Sequence, residues 1–146
     1  MDISGNKVRV RDWELKDFGM EALWSLDREV ILLDPPAGQV FNQERYSIEV
    51  LSGKHIGICT LYNWTHEEVQ LGIRIGNRDY WSKGYGAEAV SILINYWLNT
   101  LDTPRLWLKV LPENIRAIRC YEKCGFAHVG MIELSGYNFL VMEIRR

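Results

Sequence analysis

Cysteine, proline and long apolar runs are all scarce in this sequence, and each shortage excludes something. Three cysteines, an odd number with none near the start, argue against a disulfide framework. No apolar run approaches the length of a membrane-spanning helix; Val30 to Leu33 covers only four residues. Met1 to Gly5 lacks the basic-then-apolar pattern of a secretion signal, so a cytoplasmic domain is expected. There is no block of lysine and arginine, and a net charge of −2 offers nucleic acid little to hold; neither nucleic acid nor membrane is an expected partner. Low-complexity segments, internal repeats and flexible linkers are missing too. What remains is 146 residues, 47% hydrophobic and 25% charged, enough for one globular domain over residues 1–146 with a core that needs no staples.

The patterning supplies the elements. Val8-Arg9-Val10-Arg11 alternates and predicts a half-exposed strand. Trp13, Leu15, Phe18, Ala22, Leu23, Leu26 and Val30 recur at helical spacing, predicting two helices or one bent helix stopped by Asp34-Pro35-Pro36. Tyr46–Leu51 and His55–Tyr62 flank Ser52-Gly53-Lys54 as a hairpin, and Val69–Ile75 alternates as a strand. Ala87–Leu101 carries a broad apolar face and predicts a helix ended before Pro104. Arg105–Leu111 is a strand again. Glu113–Cys124 is a helix with Asn114 as N-cap and Gly125 as its C-terminal glycine. Phe126–Leu134 and Tyr137–Ile144 close as a hairpin. A strand, crossover helix and strand imply a parallel pair, and ligands in such sheets sit beyond the carboxyl ends of the strands. Gly76–Gly86 lies at that end.

Lys83-Gly84-Tyr85-Gly86-Ala87-Glu88-Ala89 follows a strand and opens a helix. Two glycines let the backbone turn tightly and a ligand approach closely, and the first N–H groups of the helix have no internal partner. With the helix dipole and Lys83 this makes an anion site suited to phosphates. A mononucleotide P-loop is excluded, because Ser82-Lys83-Gly84 runs in the wrong order. Gly84, Gly86 and Ala89 satisfy Gly-x-Gly-x-x-Ala, but the next strand ends in Lys109-Val110-Leu111 with no acidic residue, which disfavours a dinucleotide-binding oxidoreductase.

Tyr80 to Ala89 resembles the acyl-CoA pyrophosphate loop of the GCN5-related N-acetyltransferases (GNAT family), close to the branch that includes ribosomal-protein N-terminal acetyltransferases. Leu111 to Phe126 is similar to the family's second signature, Asn-x-x-Ala-x-x-x-Tyr-x-x-x-Gly-Phe, through Asn114, Ala117, Tyr121, Gly125 and Phe126. The resemblance implies an α/β (α+β) fold: a mixed, mostly antiparallel sheet of six to seven strands, a parallel splayed pair at its centre, and helices on both faces. It implies acetyl-CoA as acyl donor, no metal, and acetyl transfer to a primary amine, a peptide N-terminus or a small molecule, by direct attack through a tetrahedral intermediate, in a monomer or homodimer. Ile73, Arg74 and Ile75 would lie along the pantetheine arm, with a backbone N–H facing the thioester oxygen. Trp81, Ser82, Lys83, Gly84, Tyr85, Gly86 and Ala87 would hold the pyrophosphate, Asn114 would bond the cofactor, and Ala117 would let the arm pass. Tyr121 would protonate the departing thiolate: a thiol titrates near about 8.5 and a phenol near about 10.

Two positions depart from the family pattern. Trp81 stands where Gln or Arg commonly opens the loop, and Gln70 stands where many relatives carry a glutamate base. Glu68 and His66 are the substitutes on offer, and the base stays unassigned. Gln70 keeps open a second reading, a non-catalytic acyl-CoA sensor of the same fold. Cys120, Cys124 and His128 are spaced four apart, but Gly125 interrupts the helix, so buried reduced thiols are expected rather than a metal site. The tryptophans are expected mostly in the core, with Trp13, Trp24 or Trp64 available to an acceptor pocket; the family layout implies that Trp24 and Asp27–Asp34 cover the acceptor side.

Overall fold

In the computed structural model, which describes Met1–Arg146, side-chain alternation sorts one large sheet into an apolar and a polar face. Its strands are β1 (Asp2–Ser4), β2 (Val8–Asp12), β3 (Gln43–Val50), β4 (His55–Tyr62), β5 (Glu68–Ile75), β6 (Arg105–Val110), β7 (Ala127–Leu134) and β8 (Tyr137–Arg145). Their order is β1-β2-β3-β4-β5-β6-β8-β7, and β5–β6 is the one parallel pair. The eighth strand, one more than the sequence predicts, is β1: three residues with a single apolar side chain, Ile3, are too short to show a period.

The helices are α1 (Phe18–Trp24), α2 (Arg28–Leu32), α3 (Tyr85–Thr100) and α4 (Ile115–Lys123). α3 and α4 cover the apolar face. Val69, Leu71, Leu106 and Leu108 of the central strands pack with Ala89, Val90, Leu93 and Trp97 of α3 and with Ile118 and Tyr121 of α4. Burying each large apolar side chain contributes about 1.5–3 kcal/mol. Asn114 caps α4 by accepting the Ala117 N–H, and Gly125 follows the helix at φ 104°, a conformation that glycine takes without strain.

The segment left open as one bent helix or two forms two. The break falls before α2, where the Asp27 carboxylate accepts the Glu29 N–H at 3.1 Å. Both lie over the polar face of the sheet, held by Asp17 against Arg11 of β2. That face offers little apolar area, so of the apolar periodicity only Val30 is buried, while Trp24, outside that pattern, is buried too; Leu15 and Leu26 are 81% and 77% exposed.

The parallel pair parts early. β5 and β6 are in register only at Glu68↔Arg105, Val69↔Leu106 and Gln70↔Trp107, whereas β5 stays on β4 as far as Gly57↔Ile75. Because the Gly76 N–H donates to the Ile56 carbonyl at 2.9 Å, the antiparallel alternation commits Gly72 and Arg74 to β4. It therefore turns the N–H and C=O groups of Ile73 and Ile75 toward the gap. This spacing leaves no room at Gly57, where a Cβ would stand 2.5 Å from the Arg74 carbonyl oxygen. Gly57→Ala is expected to cost about 1–3 kcal/mol through displacement of β5. A urea midpoint equal to wild type would show that the strand spacing tolerates the methyl.

Candidate active site

The loop after β5 leaves a run of backbone donors free. Asn77 caps a short 3-10 turn over Arg78–Tyr80, Ser82 turns at φ 58° and Gly84 at φ 88°, and α3 begins at Tyr85. The helix thus starts two residues before the apolar pattern does, because Gly84 supplies the left-handed N-cap. None of the backbone N–H groups from Ser82 to Ala87 has a partner within the chain. Unpaired donors in succession at a helix N-terminus suit an anion.

A groove of about 480 Å³ runs from this loop along the free edge of β5 to α4. Ile73, Arg74, Ile75, Trp81, Ser82, Gly84, Gly86, Ala87, Asn114, Ala117 and Tyr121 line it. The side chains of Lys83 and Tyr85 turn away: Lys83 Nζ donates to the Asp79 carbonyl at 2.8 Å, and the Tyr85 ring packs edge-on against Tyr80. Asn114 is in the wall, with its Oδ1 already engaged as the helix cap.

Other cations stand where Lys83 was expected. Glu88, in the first turn of α3, accepts the Lys7 N–H at 2.9 Å and brings the turn between β1 and β2 over the loop. Lys7 then lies beside Gly84, its Nζ 5.3 Å from the centre of the Tyr85 ring. α4 contributes Arg116, Arg119 and Lys123 to the groove wall. Their spacing of three and four places them on one helical face, a signal present in the sequence and not used. Trp81 pins the loop: its indole N–H donates to the Ile75 carbonyl at 2.6 Å, and the Arg116 guanidinium stacks 3.5 Å from its ring centre.

Tyr121 is 7% exposed, with its ring edge-on to Phe126. Its hydroxyl has no hydrogen-bond partner in the chain, yet it is not among the sealed, unpartnered polar atoms, so it opens into the groove. Burial pushes the phenol's pKa up, and nearby Cys120, Asp34 and Tyr62 add to the shift. At neutral pH the oxygen therefore keeps its proton.

On the polar side of the splayed strands lies a second cleft of about 510 Å³, bounded by Thr60, Tyr62, Gly72, Lys109 and the Asp34–Gly38 segment. It shares Asp34, Ile73 and Arg74 with the groove, so the two cavities meet where β5 leaves β6. Residues 27–34 contribute Ile31 and Asp34 to it, while Asp27 pairs instead with Arg78 at 2.6 Å. None of Trp13, Trp24 and Trp64 lines either cavity; Trp24 lies against Gly76 and His55, and Tyr62 is the aromatic of the cleft. Only Trp24 and Trp97 are buried, so most tryptophans are not core, because four of the six border the polar face or the loops.

The substitutes for a base do not reach either cavity. Glu68 pairs with Arg105 at 3.1 Å, and His66 is exposed in the turn before β5. Gln70 is buried. Cys120 and Cys124 are free and half-buried rather than fully buried, with the Cys124 thiol 3.6 Å from the Ala87 carbonyl, and His128 turns to Glu122 at 3.2 Å.

Comparison with known proteins adds to this geometry. Residues 9–127 match the family described as Acetyltransferase (GNAT) domain. The chain is 32% identical over 97 residues to an aminoglycoside N(6')-acetyltransferase type 1 of Klebsiella pneumoniae, covering 58% of this chain and 48% of that protein. It is 25% identical over 107 residues to the spermidine N(1)-acetyltransferase of Vibrio cholerae, covering 71% and 61% respectively. The chain thus spans about half the length of the first of these curated relatives. The crystal structure of aminoglycoside acetyltransferase AAC(6')-Ib with coenzyme A superposes with a TM-score of 0.83 at 21% identity, covering 95% of each chain. That likeness is one of fold.

Proposed function

The chain belongs to the acetyltransferase (GNAT) domain family, and from that premise we propose that it transfers the acetyl group of acetyl-CoA to the primary amine of a small molecule. The observation that carries the reading is the run of unpartnered N–H groups from Ser82 to Ala87 at the mouth of a groove that ends at Tyr121. A diphosphate is the ligand that such a run of donors fits, with Arg116 in the groove wall and Lys7 beside Gly84. Acetyl-CoA, when bound, supplies a thioester carbonyl to be attacked by the amine.

The chain's own groups then do three things. The Ile73 N–H, freed by the splay, donates toward the acyl oxygen as negative charge develops there. Tyr121 gives its hydroxyl proton to the departing sulfur. The second cleft holds the acceptor, with Asp34 and Arg74, ion-paired at 2.8 Å, between it and the groove. No unpaired carboxylate lines the cleft, so the amine's proton passes to water rather than to a protein base.

Calorimetric titration with CoA and with NAD tests the donor: CoA should bind and NAD should not. Thiol release from acetyl-CoA with a panel of amines tests transfer, and CoA binding with silence across amino acids, peptides, polyamines and aminoglycosides would replace the enzyme by an acyl-CoA sensor. Gly84→Asp is expected to weaken CoA binding at least about tenfold, because it puts a side chain at φ 88° and a like charge beside the diphosphate. Unaltered CoA affinity in a folded Gly84→Asp protein would remove the loop from the site.

A further inference from the structure

The second cleft has an unusual charge balance for an amine site. Three of its lining residues are charged: Asp34, Arg74 and Lys109. Asp34 is spent on Arg74, through Nε at 2.9 Å and Nη2 at 2.8 Å. That leaves Lys109, half-buried, with no carboxylate within ion-pair distance; its Nζ donates to the Tyr62 hydroxyl at 3.2 Å and lies over the Tyr62 and Phe139 rings. The other cations of this face are matched, Arg11 with Asp17 and Glu49, Arg45 with Glu21, and Arg105 with Glu68 and Glu143. Desolvation moves the Lys109 pKa down, and the Asp34 charge, beyond ion-pair distance, offsets this only in part.

Its place in the sheet gives the scale of the ligand. The strands part after Gln70↔Trp107, and Lys109, two residues further along β6, lines the cleft together with Gly72 and Ile73 of β5. An anion held by Lys109 therefore shares this cleft with Ile73, which also lines the groove, so a compact acceptor can reach from one to the other. We propose that the acceptor is a small amino acid whose carboxylate pairs with Lys109 in this cleft; the inference rests on the acetyltransferase reading. Polyamines and aminoglycosides, which carry several ammonium groups, find no free carboxylate here.

The test compares free amino acids with their carboxamides and with spermidine and kanamycin, using wild type, Lys109→Met and Lys109→Arg. Thiol release gives kcat/KM, and calorimetry on the protein–CoA complex gives binding without turnover. Wild type should prefer the acid over its amide by about 10- to 100-fold, the range for a hydrogen bond to a charged group. Lys109→Met should erase that preference by lowering kcat/KM for the acid far more than for the amide, while CoA binding stays nearly unchanged, and Lys109→Arg should restore most of it. A preference for amides, spermidine or kanamycin, or an equal loss for acid and amide, overturns the proposal. If no amine is acetylated, the transfer reading fails, yet Lys109-dependent binding of the acid would still support the subsite; absence of that binding would overturn it.

Discussion

Replacing Tyr121 with Phe is expected to lower kcat by about 100-fold or more while leaving CoA affinity nearly unchanged. The substitution removes one oxygen and keeps the ring that packs against Phe126 at 5.9 Å. Because the hydroxyl has no partner in the chain, its loss leaves no orphaned group behind, and the unfolding midpoint should stay at the wild-type value. A fall in kcat without a fall in stability thus separates proton delivery from packing. Burial keeps the phenol protonated, which suits a donor and rules out a base at neutral pH. Thioester donors whose thiols are more acidic need that proton less, so the variant should lose less with them. Equal losses for good and poor leaving groups, or no loss at all, would take Tyr121 out of the chemistry.

How much of this was legible before the structure depended on whether a feature is local. Asn114, Gly125, the glycines of the loop and the alternation of Val69–Ile75 are local, and their backbone consequences appear at those residues. Lys83 misled because charge in a sequence carries no direction: its side chain reaches back four residues to Asp79, while Lys7 arrives from a distant turn held by Glu88. The second cleft, proposed for the acceptor, was nearly invisible for the same reason. It joins Asp34, Tyr62, Arg74 and Lys109, which four separate segments contribute and no spacing links. The apolar residues of Leu15–Leu26 failed as core markers because periodicity assumes an apolar partner. The face they cover is instead polar, with Arg11, Ser47 and Glu49.

That polar face carries the second large expected effect. Asp17→Ala should destabilise the fold by about 3–5 kcal/mol, the range for removing one member of a buried ion pair. Asp17 is 3% exposed, and its oxygens take Arg11 at 2.8 and 2.9 Å, the Ser47 hydroxyl at 2.7 Å and the Glu14 N–H at 2.8 Å. Burial opposes its charge, but the Arg11 guanidinium, the Glu14 N–H and the Ser47 hydroxyl outweigh burial and hold the carboxyl well below the usual carboxylate range. With the folded pKa depressed, the unfolded chain binds the proton more readily, so this stabilisation is complete above about pH 4–5 and is lost as pH falls through the folded value. Asp17→Asn should therefore flatten the acid limb of the stability profile, measured as urea midpoint against pH, as well as lowering its plateau. The consequence for function is selective. Asp17 anchors the segment that brings Ile31 and Asp34 to the second cleft and Val30 and Leu33 to the groove wall, whereas the loop proposed to hold the diphosphate is fixed by Trp81, Gly84 and α3. A folded Asp17 variant should lose acceptor KM before CoA affinity; the reverse order would mean that α1 and α2 do not shape the cleft.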